Sequence, residues 1–110
     1  MSMKVEGVQV FDNHRVIIPA TQDTAVTALI ELRPFVKYTL LCSQLGANEE
    51  ILGEIFDVSR NVWQPWFYAG SRVRLAQNSE QWFFDGSSSL VRFLKSATAN
   101  PARIVLSHTN

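Results

Sequence analysis

Any chemistry this chain performs must come from a short roster of side chains. His14 and His108 are the only imidazoles in 110 residues, and Cys42 is the only thiol. Neither histidine lies at short ligand spacing from a second His or Cys, and a set completed by Asp12 or Asp85 has no warrant in the sequence. One cysteine also excludes an internal disulfide and any multi-cysteine zinc site. His14 reads as a polar turn residue and His108 as part of a frayed tail. Cys42 closes the apolar run Leu40-Leu41-Cys42, where cysteine behaves as a small buried hydrophobe rather than an activated nucleophile. Glu49, Glu50, Glu54 and Asp57 could in principle supply an acid and a base for glycoside chemistry. They follow a Gly46-Ala47-Asn48 turn, so a solvated loop face explains them more simply. No Gly-x-Ser-x-Gly elbow is present, and Gly7, Gly46, Gly53, Gly70 and Gly86 are scattered too singly to cradle a phosphate. The expectation is a protein that is not an enzyme, with no catalytic, cofactor-binding or metal residues.

The aromatic residues are the more distinctive feature. Trp63, Trp66, Phe67, Tyr68, Trp82, Phe83 and Phe84 fall within one stretch of the chain. Adjacent side chains of a strand point to opposite faces, so Phe83 must face away from Trp82 and Phe84. Some aromatic surface is therefore expected outside the core, as a protein interface, a sugar-stacking platform or a base platform. Arg72 and Arg74 share the face opposite Val73 and Leu75. They would clamp an acidic partner or simply stand on a solvated strand face.

The elements that must position these residues are strands. Val8 and Val10 alternate with polar neighbours, Asp12-Asn13-His14 reads as a turn, and Arg15–Ile18 forms a strand ended by Pro19. From Thr24 to Arg33, alternation places Val26, Ala28, Ile30 and Leu32 on one face, with a short helix as the alternative. Lys37–Ser43 reads as a central strand and Glu50–Phe56 as a further strand, with a helical turn near Glu49–Leu52 as a variant. Asn61–Gly70 reads as a loop leading to an edge strand, because Pro65 cannot donate to a ladder. Ala69-Gly70, Asn78–Glu80 and Asp85–Ser88 are turns between Ser71–Leu75, Gln81–Phe84 and Leu90–Lys95, and Arg103–Ser107 closes the chain. About eight to ten strands at this spacing predict a single all-β domain over 1–110, a small two-sheet antiparallel β-sandwich or jelly roll.

Composition agrees with a globular core, at 46% hydrophobic and 18% charged residues, and argues against disorder. Ten basic residues balance ten acidic ones, so no overall field points to nucleic acid or an anionic membrane. No apolar run reaches the ~20 residues of a membrane span, and the N-terminus lacks a secretion signal. Residues 1–55 carry a net charge of −3 and residues 56–110 a net of +3. Folding either interleaves these halves or leaves opposite faces that attract one another.

The order Tyr38–Ser43, a Gly-Ala-Asn turn, Ile51-Leu52-Gly53-Glu54, Ala69-Gly70-Ser71, Val73-Arg74-Leu75, Trp82–Gly86 and Val91–Leu94 is similar to small β-sandwich proteins of tailed-phage virions. Decoration and head-fibre-base modules are among them. The resemblance implies a virion structural protein, assembled in the host cytoplasm, that self-associates and attaches to a major capsid or other lattice protein. Under it, Trp63, Trp66, Phe67, Tyr68, Arg72, Arg74, Trp82 and Phe84 become the interface residues, with the tryptophans and Tyr68 as anchors. Met1–Val10 would add a strand to an adjacent subunit. A carbohydrate-binding module stacking glycans on Trp63, Trp66 or Trp82 is the second reading. A small inhibitor or host-interaction protein presenting loop 57–70 is the third.

Overall fold

The alternation of apolar and polar residues resolves into antiparallel strands, numbered here in chain order. The computed structural model describes residues 14–108, together with the backbone of residues 3–5 and 8–10. Strands β1 (Met3–Val5) and β2 (Val8–Val10) pair with each other as a two-stranded sheet, Met3 opposite Val10 and Val5 opposite Val8. Asp12 and Asn13 of the expected turn lie outside the described residues, and His14 instead opens a strand.

A four-stranded sheet is built from β3 (His14–Thr21), β6 (Lys37–Cys42), β12 (Gln81–Asp85) and β14 (Ala102–His108), in the order β12-β6-β14-β3. β6 is central, as its apolar middle requires. Pro19 does not end β3. The pairing of β3 with β14 is irregular between Ile18 and Thr21, and β3 is an edge strand, so a residue without an N–H is tolerated there. His108 is likewise no frayed tail but the last residue of β14, opposite Tyr38.

A six-stranded sheet centres on β7 (Glu50–Asp57) and β13 (Leu90–Lys95). β4 (Ala25–Val26) and β5 (Ile30–Glu31) share the free edge of β13. The single alternating face expected over 24–33 is broken between them. Thr27 turns inward, and its backbone and hydroxyl both bond Phe93, while Val26, Ala28 and Leu29 face out. Ala28 and Leu29 both facing out is a one-residue slip that restores the phase, so Ile30 and Leu32 are buried as expected.

β8 (Val62–Pro65) and β11 (Arg74–Ala76) share the outer edge of β7. Between them the chain leaves the sheet as a hairpin of β9 (Phe67–Tyr68) and β10 (Ser71–Arg72). Ser71–Leu75 is therefore two strands rather than one. Ala69 and Gly70 turn the hairpin at φ 52° and 84°, the left-handed pair that a two-residue hairpin demands. Gly53 holds the fork open: its N–H donates to Val73 O (2.9 Å), and its carbonyl accepts from Trp66 N–H (3.1 Å). A Cβ there would lie 2.9 Å from both the Trp66 ring and Val73 Cγ1.

The inner faces of the two sheets enclose one cluster that includes Leu40, Ile104 and Leu106 from one side and Ile51, Leu75, Val91 and Phe93 from the other. The fold is a small all-β sandwich, and no helix occurs among the described residues. At one end Lys95 points inward from β13. Its ammonium is matched by three acceptors: Asp23 O at 2.7 Å, Ser96 O at 3.0 Å and Thr98 Oγ1 at 3.1 Å. Burial without these partners would be prohibitive. They also tie the 21–23 and 96–98 loops over that end of the core.

Candidate protein-interaction surface

The eight aromatic and arginine residues singled out from the sequence do not form one surface. Trp66 (5% exposed) and Phe84 (3%) are core residues. Trp66 lies between the sheets, edge-on to Phe84 at 5.1 Å and tilted against Phe93 at 6.0 Å. The expected place of both in an interface, with Trp66 as an anchor, is corrected by this burial: an indole that joins two sheets has no surface left for a partner. Trp82 and Tyr68 are half-buried and pack against the same cluster. Tyr68 is further tied down, because its hydroxyl accepts from Asp85 N–H at 3.0 Å. Arg72 serves the fork rather than an acidic neighbour, donating from one terminal nitrogen to Gly53 O at 3.1 Å. Its Nε is buried with no partner among the described residues. Arg74 pairs with Glu50 of its own chain at 2.8 Å.

Trp63 is different. It sits on the outer face of the six-stranded sheet opposite Phe56, whose ring it meets edge-on at 5.2 Å. Arg92 reaches over it from β13, with its guanidinium carbon 4.3 Å from the ring centroid. The same guanidinium grips Glu54 Oε1 through Nε (2.8 Å) and a terminal nitrogen (2.7 Å). Register places Val26, Leu94 and Leu52 in one row across this face. Leu90 lies on the same side, since it alternates with buried Val91 and Phe93. An antiparallel sheet normally turns polar residues to water. This one turns out leucine, phenylalanine and tryptophan beside two ion pairs, Arg92–Glu54 and Arg74–Glu50.

The outer face of the four-stranded sheet carries a shorter apolar row, flanked by Lys37, Thr39, Gln81, Asp85, Arg103 and Ser107. Val16, Val105 and Leu41 lie in register across three strands, and Phe83 (65% exposed) stands diagonal to Leu41. Phe83 thus faces away from Trp82 and Phe84, as alternation requires. A shallow depression of about 560 Å³ beside it is lined by residues including Lys37, Thr39, Tyr68, Asp85 and Ser107. Phe67 (62% exposed) stands on the β9–β10 hairpin, near this end of the molecule.

Sequence reasoning missed Phe35, which is fully exposed (100%) at φ 64° in the turn before β6. A bulky residue in the left-handed region is uncommon. It also missed Arg92 and the outward leucines, whose role depends on which strands flank β13.

The groups considered for catalysis have structural duties. Burial, reinforced by Glu80, pushes the Cys42 thiol up to about 11, away from thiolate chemistry. Glu49 accepts from the N–H groups of Gly46 and Ala99, both at 2.7 Å, and these bonds hold its carboxyl below the usual range. Asp57 is lowered by the Ser59 hydroxyl at 2.6 Å and by backbone N–H groups of the same turn. Glu50 and Glu54 are the partners of Arg74 and Arg92, so charges of the two chain halves interleave. Among the described residues, no three His, Cys, Asp or Glu side chains gather as a metal set. No known protein family, curated protein or solved structure matches this chain.

Proposed function

We propose that this protein is a non-enzymatic structural subunit that associates with copies of itself and with a larger protein lattice, in the manner of the tailed-phage virion proteins it resembles. The observation that carries the reading is that each outer face of the sandwich bears an apolar row set among polar and charged residues. Leu52, Leu90, Leu94, Phe56 and Trp63 lie on one side and Val16, Leu41, Val105 and Phe83 on the other. One such face would serve a dimer. Two different faces on opposite sides suit head-to-tail contacts, which close into rings or extend as a lattice. Trp63 with Arg92 supplies the residue types that dominate binding energy at interfaces.

The sugar-binding alternative fares worse on the same geometry. Glycan stacking needs an open indole face. Trp66 is core, Trp82 packs on the core, and Arg92 already covers a face of Trp63.

Light scattering coupled to size exclusion, over a range of concentrations and at two salt levels, tests the proposal. A discrete ring-sized oligomer or a concentration-dependent ladder supports it. A 12.4 kDa monomer under every condition contradicts the self-association.

A further inference from the structure

The open end of the sandwich between β3 and β5 carries a second, chemically distinct feature. Arg15 is paired with buried Leu106, so it stands on the inward side of an edge strand, where the core meets water. Arg33 follows buried Leu32 on the opposing edge. Both line a cavity of about 340 Å³ with Tyr38 and Glu31, flanked by His14 and His108. Arg74 and Arg92 are matched to carboxylates, but Arg15 and Arg33 have no ion pair or side-chain hydrogen bond among the described residues. Glu31 pairs with neither.

Tyr38 adds an independent sign. It is 5% exposed, and its ring stacks on Phe84 at 5.4 Å. Its hydroxyl oxygen accepts from Arg33 N–H at 2.8 Å. A phenol can also donate one hydrogen bond. That hydrogen has no acceptor among the described residues, although buried donors are nearly always satisfied. Two guanidiniums without an ion pair among the described residues, and a tyrosine whose hydroxyl can still donate, thus line one cavity. An anion with two or more oxygens satisfies all three, and charge-assisted bonds of this kind are the stronger ones.

We propose that this cavity is a binding site for a small oxyanion, a carboxylate or phosphate, held by Arg15, Arg33 and the Tyr38 hydroxyl. Two exposed charge-assisted contacts correspond to a dissociation constant of about 1 mM.

The test is an NMR titration of the full-length ¹⁵N-labelled chain with inorganic phosphate and, separately, succinate, at ionic strength held constant with chloride. Saturable shifts are expected at amides of Glu31, Arg33 and Val16. Arg15→Gln and Arg33→Gln, both at exposed positions that should leave the fold intact, each weaken binding roughly tenfold. Tyr38→Phe weakens it by a smaller factor. Saturation by phosphate alone identifies a phosphate site, and saturation by succinate alone a carboxylate site. Saturation by both identifies a general oxyanion site. Shifts that never saturate overturn the proposal, and so does an affinity unchanged in both arginine variants.

Discussion

Trp66→Ala separates the core reading of the aromatic cluster from the interface reading. The indole touches both sheets, through Phe84 on one and Phe93 on the other. Removing a buried Trp costs about 3–5 kcal/mol, depending on how far the site can collapse. Collapse is limited here. Gly53, beneath the ring, has no side chain to move into the void, and its backbone is fixed by bonds to Val73 and Trp66. The upper part of the range, about 4 kcal/mol, is therefore expected. A domain of this size is stable by only ~5–15 kcal/mol, so the loss is a large fraction of the total. With a urea m-value of ~2 kcal/mol/M the midpoint falls by about 2 M. Trp63→Ala, on the outer face, is the control and costs about 1 kcal/mol, the scale of an exposed cation–π contact. Equilibrium urea unfolding followed by far-UV circular dichroism measures both. A Trp66→Ala loss below about 1.5 kcal/mol, or one no larger than that of Trp63→Ala, refutes the intersheet assignment.

Three further outcomes follow from local geometry. A Cβ at Gly86 would fall 1.9 Å from Arg33 O and 2.8 Å from the Tyr38 ring. Gly86→Ala should therefore lower stability by about 1–3 kcal/mol in the same unfolding assay, the usual cost of overpacking. Cys42, with its thiol near 11, is only ~0.1% thiolate at pH 8. Iodoacetamide labelling should accelerate mainly above pH 10, and a rate profile centred near pH 8–9 would contradict the burial. Glu49 is lowered in the folded state, so its stabilising contribution is full above the ordinary carboxylate range and lost as pH falls through the folded value. Glu49→Gln should flatten the acid limb of the stability profile, and an unchanged limb would show that the Gly46 and Ala99 bonds do not matter.

Local rules made much of the fold legible. Leu40-Leu41 marked β6 as central, Ala69-Gly70 marked a turn, and Pro65 marked an edge. Strand geometry alone put Phe83 on the face opposite Trp82 and Phe84 but did not say which of the two faces is the outer one. The interface reading took Trp82 and Phe84, and it is Phe83 that is exposed. What escaped was whatever depends on which strands become neighbours. Pro19 passes through β3 because that strand is an edge with irregular pairing, a tertiary fact. Thr27 displaces Val26 from the interior because its hydroxyl meets Phe93 N–H, sixty-six residues away. Trp63 and Trp66 look alike in sequence, yet the fork at Gly53 sends one outward and the other between the sheets. Arg72 and Arg74 read as a matched pair until the fork gives one a carbonyl and the other a carboxylate.

The most direct test of assembly through opposite faces is sedimentation equilibrium on the wild-type chain, Trp63→Ala and Phe83→Ser. The wild type should show an oligomer, and each variant should shift it toward smaller species, because each removes an anchor from a different side of the sandwich. A wild-type chain that sediments at 12.4 kDa throughout, or variants indistinguishable from an oligomeric wild type, would contradict the assignment of these faces.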